Sequence, residues 1–151
     1  NAAPLAAMLK PALPPGLPVW TSPARRCRAL AECLHPAPEV DARLAEMDFG
    51  TWEGRPWDAI PRAELDAWAA DVDGFAPPGG ESPRAVQARV RAFLAEIAVA
   101  EAVVVTHAGV MRMIHAEATG CSIVEALNFR PGFGAVARVV LVPRKMSLQA
   151  F

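Results

Sequence analysis

Cysteine is scarce in this sequence: Cys27, Cys33 and Cys121 are the only ones among 151 residues. An odd number without metal-ligand spacing excludes a disulfide framework and fits a reducing compartment. Lysine is scarcer still, with Lys10 and Lys145 alone among 15 basic side chains. Arginine supplies the rest; its planar fork suits bidentate anion binding, although a coding bias explains the same count. Neither sign of charge is in excess, because 15 basic and 16 acidic residues leave a net charge of −1. No global field therefore draws the chain to nucleic acid or an anionic membrane, and any anion site must be local. Long hydrophobic runs are missing as well. The runs at 102–105 and 139–142, like the others, fall far short of the ~20 residues that cross a bilayer. With no charged-then-apolar leader, a cytoplasmic protein is expected. The chain also lacks an initiator methionine, opening at Asn1 inside a predicted helix over 2–10, so further chain is expected upstream.

What is present suits one globular domain over 1–151. Apolar residues make up 53%, and a chain of this length buries roughly two-thirds of the surface its unfolded form exposes. The 15 prolines sit mostly at element boundaries, as punctuation. Residues 17–20 read as a short apolar strand. Ser22-Pro23 then offers an N-cap and a first-turn proline for a helix to Leu34. The β-branched run 101–106 reads as a buried strand, and 110–119 as a helix closed by Gly120. Between these units, 61–71 carries Leu65, Trp68 and Ala69 at helical spacing. Ser82-Pro83 caps a helix whose Val86, Val90, Phe93, Leu94 and Ile97 form one face. Both helices are expected to pack on the sheet. Ser122 caps a short helix to Leu127, and 135–142 and a last segment ending at Phe151 read as a strand pair. The expected class is α/β, a three-layer sandwich with a mostly parallel sheet and an antiparallel edge.

Three segments carry candidate chemistry. In Thr21-Ser-Pro-Ala-Arg-Arg-Cys-Arg28 a strand end meets a helix start, an anion site made of free N–H groups and the helix dipole. At about 100° per residue, only one of Arg25, Arg26 and Arg28 reaches back to the strand end; a solvated basic face is the plainer reading. In Val105-Thr-His-Ala-Gly109 a buried strand delivers His107 to its carboxyl end, where open α/β sheets bind ligands. Ala108 and Gly109 are small enough to let backbone N–H groups approach an oxyanion. His35 and His115 form no metal-binding pair with His107, which argues against a metallohydrolase. In the third segment, 41–54, Glu46, Asp48 and Glu53 are equally eligible as a carboxyl desolvated by aromatic neighbours. The loop 77–82 adds Glu81, suited to bonding loop amides or lining a cleft mouth. Together these are the parts needed to hold and cleave a phosphate monoester.

The same residues resemble the histidine phosphatase superfamily, with its phosphoglycerate mutase-like fold, over nearly the whole chain. Residues 21–31 are similar to the family's Ser-Ser-Pro-Leu-x-Arg-Ala-x-x-Thr-Ala segment, which implies that Arg26 binds phosphate. Leu44-Ala-Glu-Met-Asp-Phe-Gly-Thr-Trp-Glu-Gly54 resembles the acid-bearing segment and implies Glu46 as general acid. Gly79-Gly-Glu-Ser82 resembles the helix-entry loop, and residues 104–112 the second-histidine segment, with His107 in that role. Ser22, Ala108 and Gly109 join Arg26 as substrate-binding residues. Leu30 and Ala24 stand where the family usually has Thr and Leu. The family's nucleophile is a His in Arg-His-Gly at the end of a first strand, and that motif does not occur in this sequence. The resemblance thus implies a domain without its first strand and a phosphohistidine reaction needing no metal or other cofactor. The wording is most similar to that of small α-ribazole phosphatases and related broad phosphatases, which implies a small phosphorylated metabolite, such as α-ribazole 5′-phosphate, as partner. The alternatives are an inactive relative that binds phosphorylated ligands or a partner protein, and a phosphoglycerate mutase, against which the short chain argues.

Overall fold

A computed structural model describes residues 2–97 and 99–141. Its centre is a parallel sheet of three strands, β1 (Val19–Thr21), β2 (Glu39–Val40) and β3 (Val103–Val105), in the order β2-β1-β3. Val19 pairs with Val103, Trp20 with Val104 and Thr21 with Val105, while Trp20 also pairs with Glu39 on the other side. Side chains alternate across a strand, and the core divides accordingly. Val19 and Val105 cluster with Cys27 and Ala31; Trp20 and Val104 pack against a second cluster containing Leu44, Val90, Phe93 and Val110.

Helices cover both faces. On one side α1 (Ala2–Leu9) packs on α2 (Arg25–Leu34), which lies against β1 and β3. A third helix, α3 (Arg62–Ala70), lies between these and the second group in the chain. That group covers the other side: α4 (Pro83–Glu96) and α5 (Ala108–Thr119), with α6 (Ile123–Ala126) against α5. This is the expected α/β architecture. Helix α4 starts where local chemistry says it should: the Ala85 N–H donates to Ser82 Oγ at 3.2 Å, and Pro83 needs no partner. Its Val86, Val90 and Phe93 are buried. Helix α5 stops at Gly120, whose φ of +73° is the left-handed conformation that glycine tolerates.

Several expectations are corrected. Helix α2 begins after Ala24, and Ser22 does not cap it, because the Ser22 hydroxyl is engaged by His107 and by the Ala24 N–H. Helix α3 buries none of its residues and is not packed on the sheet. Its Trp68 turns instead toward Trp57. Strand β1 starts and ends later than the predicted span, since Pro18 has no N–H to give and contributes only its carbonyl, to the Val103 N–H. Residues 135–141 form no strand: Val136, Val140 and Leu141 are exposed, and among the described residues no strand pairs with them. Val142 and the predicted last strand lie outside the described residues. Among the described residues, no helix is long and apolar enough to cross a membrane.

Candidate active site

Strands β1 and β3 end side by side, and the residues that leave them converge. Thr21 and Ser22 are fully buried at the end of β1, and His107 is 7% exposed after β3. The Ser22 N–H donates to the Val105 carbonyl at 2.9 Å, fixing the two strand ends to each other. His107 is held at both ring nitrogens. Its Nδ1 lies 2.8 Å from Arg26 Nη2, and its Nε2 lies 2.7 Å from Ser22 Oγ. A guanidinium can only donate, so Nδ1 accepts and the proton sits on Nε2, where it is donated to Ser22. Burial pushes the His107 pKa below its ordinary 6.5; Glu46 opposes this, while Arg26 and Arg89 add to it. The imidazole is therefore neutral near pH 7. Cys27 Sγ stands 3.6 Å from Nε2, and its own burial raises the thiol pKa.

Of the three arginines on α2, Arg26 reaches this point, while Arg25 and Arg28 make no bond to His107. The carboxylates of 41–54 also separate. Asp48 Oδ1 accepts the Gly50 N–H at 2.8 Å, and Glu53 Oε1 accepts the Phe49 N–H at 3.1 Å; both stabilise the turn. Glu46 alone turns inward, to the start of α5, where its Oε2 accepts the Gly109 N–H at 3.4 Å. A Cβ at residue 109 would collide with that carboxylate, so Gly109 is needed for the approach. Thr106 ties the segment before Glu46 to the end of β3 through a 2.8 Å bond from its hydroxyl to the Leu44 carbonyl.

Arg89 is a site residue that the sequence reading missed. From α4 it bonds the carbonyls of Arg43 and Glu46 and pairs with Glu81 at 2.6 Å. Glu81 also accepts the Asp48 N–H at 3.2 Å, as expected of a residue that bonds loop amides. The eight-residue interval between Glu81 and Arg89, two helical turns, was the available signal. Glu46 and Gly109 further border a cavity of about 230 Å³. Another, of about 250 Å³, lies at the opposite end of the strands, near Lys10, Leu17 and Val103.

Comparison with known proteins gives the chain's relatives. A family profile described as the histidine phosphatase superfamily (branch 1) matches residues 1–151. "Putative phosphoserine phosphatase 2" of Hydrogenobacter thermophilus is 25% identical over 140 residues, 86% of this chain and 69% of that protein. A phosphoglycerate mutase structure from Thermus thermophilus superposes with a TM-score of 0.64 at 37% identity, covering 78% of this chain and 67% of the other. A mycobacterial glucosyl-3-phosphoglycerate phosphatase, solved with VO3, gives a TM-score of 0.71 at 28% identity over 85% of this chain and 69% of that one. The chain thus spans about two-thirds of the length of these relatives.

Proposed function

The chain belongs to the histidine phosphatase superfamily, and from that premise we propose that it carries most of the active site of a phosphomonoesterase acting on a small phosphorylated metabolite. The observation that carries this reading is the convergence of Arg26, His107 and Glu46 at the ends of β1 and β3. Arg26 and the α5 N-terminus with Ala108 and Gly109 neutralise the phosphoryl oxygens, and His107, its Nε2 proton given to Ser22, holds the Arg26 guanidinium through Nδ1. Glu46 protonates the departing alkoxide.

The attacking atom is a histidine nitrogen. His107 has both ring nitrogens engaged; the family resemblance implies that the nucleophile is the His of an Arg-His-Gly segment, which this sequence does not contain. The P–O bond to the alcohol breaks as a P–N bond forms, with the Glu46 proton passing to the alcohol oxygen. Water then attacks phosphorus as the P–N bond breaks, Glu46 takes the water's proton, and phosphate leaves the freed histidine. The relatives support a phosphatase, and the mutase name of the Thermus structure keeps phosphoryl transfer to a second hydroxyl as the alternative. α-Ribazole 5′-phosphate as substrate rests on sequence wording alone.

The test is hydrolysis of simple monoesters by the protein with its upstream segment, together with trapping of an acid-labile, base-stable phosphoprotein. Turnover with a trapped adduct, and loss of both kcat and affinity in Arg26→Ala, is the expected result. Binding of vanadate or phosphate without turnover would instead favour a ligand-binding relative, the reading that the missing Arg-His-Gly motif raises.

A further inference from the structure

The cavity of about 230 Å³ beside Glu46 has one-sided chemistry. Glu46 and Gly109 border it, and Phe49, Trp52, Trp57 and Trp68 form much of its wall. Among its described lining residues Arg112 is the one cation, and its Nε–H is already given to the Phe129 carbonyl at 3.0 Å. The tryptophans brace one another. Trp52 and Trp57 lie 6.1 Å apart at 66°, and Trp57 and Trp68 lie 5.7 Å apart at 47°, within the range of favourable ring contacts. The Trp52 indole N–H is satisfied by Glu64 at 2.6 Å, so its ring offers this wall apolar surface only. Trp57 nevertheless remains 62% exposed, an indole held in place with contact area unused.

Position decides the occupant. A general acid must stand next to the oxygen that bridges phosphorus and the alcohol, so a cavity that begins at Glu46 receives whatever that oxygen carries. We propose that this cavity is a leaving-group site that selects phosphate monoesters whose alcohol bears an aromatic group of one or two rings; the proposal rests on the phosphatase reading above. Size agrees: a dry cavity of ~150 Å³ holds one benzene ring, so this one takes a ring with its linker or a fused pair. A charged or many-hydroxyl alcohol would lose its water here and find few partners on the aromatic wall.

The experiment, on the protein with its upstream segment, compares 2-(1-naphthyl)ethyl phosphate with ethyl phosphate. Both leaving groups are unactivated primary alcohols, so the ratio of their kcat/KM values reads the cavity and not alcohol acidity. The expected ratio is at least about tenfold, the discrimination that one or two buried carbons already achieve. It should fall several-fold in Trp57→Ala and recover in Trp57→Phe; because Trp57 is largely exposed, neither change threatens the fold. A ratio near one, with both esters hydrolysed, overturns the leaving-group site and leaves the phosphatase reading standing. If neither ester is hydrolysed, the phosphatase reading fails, and the cavity is judged by binding. Three of the four tryptophans line it, so fluorescence titration with the two corresponding phosphonates reports occupancy directly. Preference for the naphthyl compound supports the site, and equal affinity overturns it.

Discussion

Glu46 and His107 illustrate how much one side chain's partners determine its chemistry. Glu46 bonds the Gly109 N–H and its own neighbour's, Met47 at 3.0 Å, leaving it positioned without being locked in an ion pair. As a general acid, its proton matters most when the alkoxide is a poor leaving group. Glu46→Gln should therefore slow an alkyl monoester roughly 10²–10⁴-fold while barely affecting p-nitrophenyl phosphate. Equal losses with both esters would remove Glu46 from proton transfer. His107 makes a different prediction, about stability. An unfolded histidine binds its proton near 6.5, whereas burial makes the folded one resist it until lower pH. The unfolded state thus holds more protons in that window, so stability rises with pH there and falls as pH drops below about 6.5. Thermal melts between about pH 5 and 7.5 should show this slope, and His107→Gln should flatten it. Asp41, held below its ordinary 3.8 by its hydrogen bond from Arg43, adds its own loss only in more acidic solution.

At the scale of elements, the site depends on two loops packed backbone to backbone. The Thr51 N–H donates to the Pro78 carbonyl and the Glu81 N–H to the Asp48 carbonyl, each at 2.9 Å. Gly50, at φ +52°, and Gly80 leave no room there for a Cβ. Arg89 fastens this pair to α4 and holds the Glu46 carbonyl. Arg89→Met should lower kcat more than it raises KM, with Arg89→Lys recovering part of the loss. A change in melting temperature alone would make Arg89 merely structural. Such coupling was hardly legible in the sequence, because it joins residues on three separate segments. What was legible is local: the Ser82-Pro83 cap and Gly120 mark the start of α4 and the end of α5 by chemistry within a few residues. Ser22-Pro23 uses the same words and misleads, because a partner 85 residues away takes the hydroxyl. Strand β2 escapes detection since both Glu39 and Val40 are exposed and show no alternation. The periodicity of α3 was real, yet periodicity names a face without naming its partner.

For the whole molecule, the sheet's edges matter most. β1 is flanked on both sides, whereas β3 pairs only with β1 among the described residues. The Val103 N–H donates to Pro18 and the Val105 carbonyl accepts from Ser22. In a parallel ladder, alternate residues face alternate neighbours, so the Val104 N–H and carbonyl are directed to the open side. A hydrophobic strand bearing the nucleophile would satisfy them and end next to His107, linking completion of the sheet to completion of the active site. Amide hydrogen exchange tests this link. In the 151-residue chain alone, the Val104 amide should exchange much faster than those of Val103 and Val105. In the protein with its upstream segment, it should become as slow as they are, and phosphatase activity should appear with that protection. Equal protection of all three amides in the short chain would mean that something else already occupies this edge. The nucleophile would then have to enter the site by another route.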